Sequence, residues 1–169
     1  DPGPVAAALA ERLAVLPSLP PEHEKAVLPV YPLQTAKTIE KYLLGKASGA
    51  TAHLGGDGVV DELAGGGAVL RPAVFELSDP HAPHARIELG LPCVWVVPWT
   101  RDAGVAPLRD TLVLAAVTTD EPLIDALLAE PTIRNLYIGH HPTYWMAPGV
   151  PHDGYLGEFL MHSKAVIRD

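Results

Sequence analysis

Eight histidines, one cysteine and a glutamate set just ahead of a proline turn are the side chains of this 169-residue chain whose types could do chemistry. His81 and His84 stand in Asp79-Pro80-His81-Ala82-Pro83-His84, and the pair His140-His141 is followed later by His152 and Asp153. Two imidazoles three residues apart can share a metal only where the backbone is helical or tightly turned. The two prolines forbid a helix there, so these histidines read as solvated loop residues and no metal is expected. Cys93 could be a nucleophile, but it follows Pro92 and opens an apolar run, surroundings in which a thiol is usually inert. No catalytic residue is assigned within the chain.

Glu88 is different. It lies in Arg86-Ile87-Glu88-Leu89-Gly90-Leu91-Pro92, where one carboxylate precedes a small-residue and proline turn that runs straight into the most hydrophobic strand of the chain. In an open α/β sheet, ligands are met at strand ends and their flanking loops, and a carboxylate there can accept hydrogen bonds from sugar hydroxyls. The other reading is an exposed loop glutamate, and the residues alone do not choose. The clusters Gly55-Gly56-Asp57-Gly58 and Gly65-Gly66-Gly67 read as turns, because neither is followed by Lys-Ser/Thr or set between a strand and a helix. No Gly-x-Ser-x-Gly elbow, His-Glu-x-x-His pair or calcium loop is present.

The elements that must hold these groups follow from periodicity. Val5, Leu9, Leu13 and Leu16 recur at helical steps and Pro17 stops them. The proline-rich run 17–32 reads as an irregular surface connection, and Thr35 to Lys46 returns to helical period through Ile39, Leu43 and Leu44. Thr51 to Leu54 and Ala68 to Leu77 read as strands, the second interrupted or edged at Pro72. Val94 to Val97 is expected to be buried on both faces, and Thr111 to Thr118 is similar. A helix follows over 119–130, with Asp120 as N-cap candidate and Leu123, Ile124, Leu127 and Leu128 as its apolar stripe, then a short strand from Asn135 to Ile138. Strand, helix, strand with short links makes the class α/β, a parallel or mixed sheet flanked by helices. A helical turn and a final strand, Ala165 to Ile167, are expected after Leu156.

At 48% hydrophobic and 19% charged the chain is globular, and its apolar stretches fall far short of the ~20 residues that cross a bilayer. A net charge of -8 repels nucleic acid and anionic lipid, so neither is expected as a partner. One cysteine suits a reducing compartment such as the cytoplasm. The chain opens on Asp1-Pro2-Gly3-Pro4, with no initiator Met and no signal-peptide pattern, and the expectation is that it is part of something longer.

The order of residues resembles the aldehyde dehydrogenase superfamily. The run from Gly49 to Gly56 is similar to the family's "GA...GG" strand, Leu70 to Phe75 to its "xxPTVF" strand, and Glu88 four residues before Pro92 to its "E-x-F-G-P" turn. Leu112 to Thr118 and Asn135 to Gly139 look like the later "ASVFT" and "VxVN" strands, and Val150 to Tyr155 like the "P-F-G-G-Y" loop. Gly90 and Leu91 replace the aromatic and the glycine of the turn, which leaves the usual nicotinamide contact without its residue. His152-Asp153 replaces Phe-Gly in the late loop.

The resemblance implies that residues 1–163 are the C-terminal part of an aldehyde dehydrogenase-like catalytic domain and residues 164–169 a terminal oligomerisation strand. In that family the dinucleotide-binding domain and the cysteine nucleophile come earlier, and Cys93, after the turn proline, is not that nucleophile. The parent would oxidise an aldehyde with NAD or NADP through a cysteine thioester, while this chain alone would be inactive. Glu88 would meet the cofactor, His152 and Met146 would stand near the aldehyde entrance, and the parent would be a homo-oligomer. The reading set against it is a non-catalytic oligomerisation or interaction module derived from the same fold.

Overall fold

The computed structural model describes residues 1–145 together with Gly157 and Leu160. The chain divides into two compact units, Asp1–Trp99 and Thr100–Asp169.

The first unit begins with α1 (Pro2–Leu13). Asp1 caps it by accepting the Gly3 amide at 3.2 Å, and Pro2 sits in the first turn, where a missing N–H costs nothing. The helix buries Ala6 and Ala10 with Val74, and Leu9 and Leu13 of the expected stripe pack beside them, so the inner face is centred on the alanines and includes only part of that stripe. Val5 is 54% exposed. The reason is proximity: the small Ala6 and Ala10 let the backbone lie close to the sheet, and the larger residues pack beside that line.

The proline-rich segment contains a strand that its sequence does not announce, β1 (Val30–Pro32), which leads directly into α2 (Leu33–Lys46). Then come β2 (Thr51–Leu54), β3 (Val60–Glu62), β4 (Gly67–Leu70), β5 (Ala73–Glu76) and β6 (Cys93–Val96). They form two three-stranded sheets, ordered β1-β4-β3 and β2-β5-β6. All pairs are antiparallel except β5 with β6, which run parallel with Phe75 opposite Trp95.

The expected strand from Ala68 to Leu77 is thus two strands in two different sheets. Arg71 and Pro72 separate them, and proline cannot donate to a ladder. The strand buried on both faces is β5, the central one, with Ala73, Val74 and Phe75 all closed to solvent. β6 is half-buried along its length, because it lies at the margin of its sheet.

α2 closes the main core. Ala36 and Leu43 pack with Val59, Ala68, Leu70, Phe75 and Leu91. Its Glu40 reaches the start of β3, where the carboxylate accepts the amides of Val59 at 2.6 Å and Val60 at 2.9 Å. Gly58, at φ +119°, leaves room for that carboxylate; a Cβ there would stand 2.8 Å from Glu40 Oε2.

The second unit holds β7 (Val113–Ala116), α3 (Glu121–Ala129) and β8 (Asn135–Ile138). β7 and β8 run parallel, with Leu114 opposite Leu136, as the strand-helix-strand pattern predicts. Asp120 is at the N-cap position but makes no side-chain cap; its carboxylate pairs with Arg101 at 2.6 Å instead. Leu127 is buried and Leu128 is 65% exposed, so the inner stripe of α3 is narrower than its leucines suggest. Glu130, whose side chain is only 8% exposed, receives Arg109 Nε at 2.8 Å and the Thr132 hydroxyl at 2.9 Å. The architecture is α/β with small sheets, as the sequence leads one to expect. The expected terminal strand lies outside the described residues.

Candidate functional site

Glu88 stands between a 3-10 turn, Pro83–Arg86, and the start of β6. Three anchors hold its turn. Leu91 is buried in the main core, the Pro92 carbonyl accepts the Ala73 amide at 2.9 Å, and the Tyr31 hydroxyl donates to the Gly90 carbonyl at 3.0 Å. Glu88 itself is exposed. It lines an open depression of about 480 Å³ with Arg86, Ile87, Leu89, Cys93 and Trp95. The Trp95 ring stacks on Phe75 with centroids 5.2 Å apart, which ties this wall to the core. The arrangement offers a charged hydrogen-bond acceptor beside apolar surface, which suits a vicinal diol on a larger molecule.

Cys93 shares that depression but is a poor nucleophile. Burial pushes its thiol up to about 11, so it stays protonated near neutral pH. Its side chain packs against the core cluster.

The second unit carries a different opening. Val117, Thr118, Thr119, Gly139 and His140 surround a space of about 450 Å³ just beyond the carboxyl ends of the parallel β7 and β8. That is where open parallel sheets meet their ligands. Thr118 is engaged, accepting the Asp120 amide at 3.1 Å, and His140 is exposed. The loop after β8 is tied back to it: the Tyr137 hydroxyl donates to the Trp145 carbonyl at 2.8 Å, and the two rings meet edge to face at 6.1 Å. His141 lies against Trp145, so the neighbouring histidines 140 and 141 face different surroundings.

His152 and Met146 lie outside the described residues. His81 sits in a tight turn in which its amide donates to Asp79 Oδ1 at 2.8 Å. Among the described residues no three of His, Cys, Asp and Glu come together as metal ligands.

Two features escaped sequence reasoning. Tyr31 is the first, since nothing in a proline-rich run points to a turn 59 residues later. The second is His53, at a shift of register in β2, whose Nε2 lies 2.8 Å from Glu76 Oε2 on the neighbouring β5. Only the pairing register of those strands, invisible in the sequence, brings the two together.

No known family pattern matches the chain, and no curated protein matches it in sequence. Solved structures do match in fold. The chain is similar to the indole-3-acetaldehyde dehydrogenase AldA of P. syringae, determined as a mutant in complex with NAD+ and IAA, with a TM-score of 0.50 and 18% identity. The match covers 64% of this chain and 23% of that one. An NAD-dependent aldehyde dehydrogenase from Sinorhizobium meliloti matches at 25% identity with a TM-score of 0.45, over 62% of this chain and 21% of its own. The chain therefore spans less than a quarter of the solved structures it matches. Its fold is part of an aldehyde dehydrogenase-like fold, in a divergent form.

Proposed function

We propose that this chain is the C-terminal part of the catalytic domain of an NAD(P)-dependent, aldehyde-oxidising enzyme, and that Glu88 is its contact to the cofactor. The observation that carries the reading is the exposed carboxylate of Glu88 on a firmly anchored turn at the start of β6, in a fold of this type. P. syringae AldA was determined with NAD+ bound, which supports the same cofactor class here. When bound, the dinucleotide supplies the hydride acceptor.

The residues present fit its ribose. Glu88 can accept two hydroxyls, while Ile87 and Leu89 give the sugar an apolar flank. The turn brings no aromatic side chain to the nicotinamide, because Gly90 has none and Tyr31 fills the space beside it. The role of this chain is thus to hold and orient the cofactor; the family resemblance puts the nucleophile in an earlier part of the enzyme, and the Cys93 thiol, raised by burial, is poorly suited to replace it. The opening beyond β7 and β8 is lined by Gly139 and His140, which precede Met146 and His152 in the chain, and we assign those two to the aldehyde entrance. The same reading makes the parent a cytoplasmic homo-oligomer joined through residues 164–169.

The purified 169-residue chain is expected to form no NADH with aldehyde and NAD, and the longer protein is expected to do so. Aldehyde-dependent NADH formation by the isolated chain, lost in Cys93→Ala, contradicts the reading, as does a longer protein without dehydrogenase activity. An oligomer of the longer protein that persists after deletion of residues 164–169 removes the assembly role of the tail.

A further inference from the structure

A second cleft lies in the first unit, between the C-terminal end of α1 and the turn after β2. Its lining is mixed, with apolar Leu13, Leu16 and Leu54 and polar or charged Asp57, Gly58 and Arg71. Its volume is about 210 Å³. An apolar cavity of roughly 150 Å³ holds benzene, and pockets for drug-sized molecules begin near 300 Å³, so the space here suits about ten non-hydrogen atoms.

Arg71 is held by two neighbours. Arg71 Nη2 donates to the Gly58 carbonyl at 3.1 Å, and its Nε lies 3.4 Å from Asp61 Oδ1. Asp61 is itself held by the Ser18 hydroxyl. A guanidinium has five N–H donors, and these two contacts orient it while leaving others for a ligand. Asp57 is exposed on the turn that lines the same cleft. A simple anion would meet Arg71 already partly neutralised by Asp61, with a second carboxylate, Asp57, in the same lining. A simple amine would satisfy Asp57 and leave the guanidinium unused. A molecule carrying both charges and a short apolar chain matches the residue types of the lining.

We propose that this cleft binds an α-amino acid with a branched aliphatic side chain, its carboxylate on Arg71, its ammonium on Asp57 and its side chain on Leu13, Leu16 and Leu54. The site is separate from the Glu88 turn, so its failure would leave the dehydrogenase reading untouched.

Calorimetric titration of L-leucine into the 169-residue chain tests it. Saturable binding with a Kd of about 1 mM or tighter is expected. Asp57→Asn and Arg71→Gln are each expected to weaken it about tenfold or more, as are 4-methylpentanoate, which lacks the ammonium, and 3-methylbutylamine, which lacks the carboxylate. Glycine, without the apolar chain, should not bind measurably. No saturable binding of leucine overturns the proposal, as does undiminished binding to Asp57→Asn or an acid or amine that binds as tightly as leucine. Arg71 also supports the Gly58 turn, so should Arg71→Gln fail to fold, the exposed Asp57 and the three comparison ligands decide.

Discussion

The hydroxyl of Tyr31 occupies the space that a side chain at position 90 would need. A Cβ added to Gly90 would meet Tyr31 Oη closer than contact distance, and the same hydroxyl donates to the Gly90 carbonyl at 3.0 Å. The strand β1 and the turn that presents Glu88 are therefore fitted to each other: the glycine makes room for the phenol, and the phenol fixes the turn.

That fit predicts a coupled pair. Tyr31→Phe should cost about 1 kcal/mol, the net worth of one hydrogen bond. Gly90→Ala should cost more in the wild-type chain than in the Tyr31→Phe background, where the clashing oxygen is gone. Urea denaturation of the two single variants and the double variant measures the coupling, and strictly additive losses would mean that the two residues do not compete for that space.

Glu40 should be among the most costly polar residues to remove. Its carboxylate accepts two backbone amides at 2.6 and 2.9 Å where β3 begins, and hydrogen bonds to charged groups are worth roughly 1.5 to 3 kcal/mol each. Glu40→Ala is expected to destabilise the first unit by at least about 2 kcal/mol, while the exposed neighbour Lys41→Ala stays within about 0.5 kcal/mol. Equal effects of the two in thermal unfolding would deny Glu40 this role.

Cys93 should titrate late. Its thiol is raised from an ordinary 9.0 to about 11 by burial, so between those values the thiol ionises in the unfolded chain before it does in the folded one. Any contribution to stability is complete below pH 9.0 and falls away as pH rises towards 11. Thiolate absorbance in the folded chain should rise only near that value, and reaction with a disulfide reagent at pH 8 should be much slower than for free cysteine. Fast labelling at pH 8 would mean an accessible, activated thiol and would reopen its catalytic role.

In the second unit the acid response should centre on Glu130. Its carboxyl is held below the ordinary 4.5, chiefly by the Arg109 guanidinium and then by the Thr132 hydroxyl. A carboxylate lowered in this way contributes stability above the ordinary value and loses it as pH falls through the folded one. Glu130→Gln should therefore weaken the unit at pH 7 and make little difference in more acidic solution. A loss that is the same at both pH values would show that the residue acts by packing alone.

The helices were legible because their cores are set by spacing that survives in the sequence: Leu43 and Leu127 lie on stripes visible in the residues themselves. The exact inner face of α1 was not, since Ala6 and Ala10 carry no strong hydrophobic signal and are selected by closeness to Val74. β1 and β3 are three residues each, too short for an alternating pattern to show, and β1 ends on Pro32, so what defines them is their pairing with β4. That Glu88 sits on a turn ahead of a strand was legible from its proline; its role as cofactor contact is the proposal. Tyr31 and the His53–Glu76 pair depend on contacts 59 and 23 residues apart, which only the folded register creates.

The most direct measurement of the central claim is the affinity of the longer protein for NAD(P) with Glu88 intact and as Glu88→Gln. A carboxylate that holds a ribose contributes a charged hydrogen bond of roughly 1.5 to 3 kcal/mol, so the substitution should weaken cofactor binding about tenfold or more, or slow hydride transfer by a similar factor. Cofactor affinity and turnover both equal to those of the wild type would contradict the account and leave Glu88 an exposed loop glutamate.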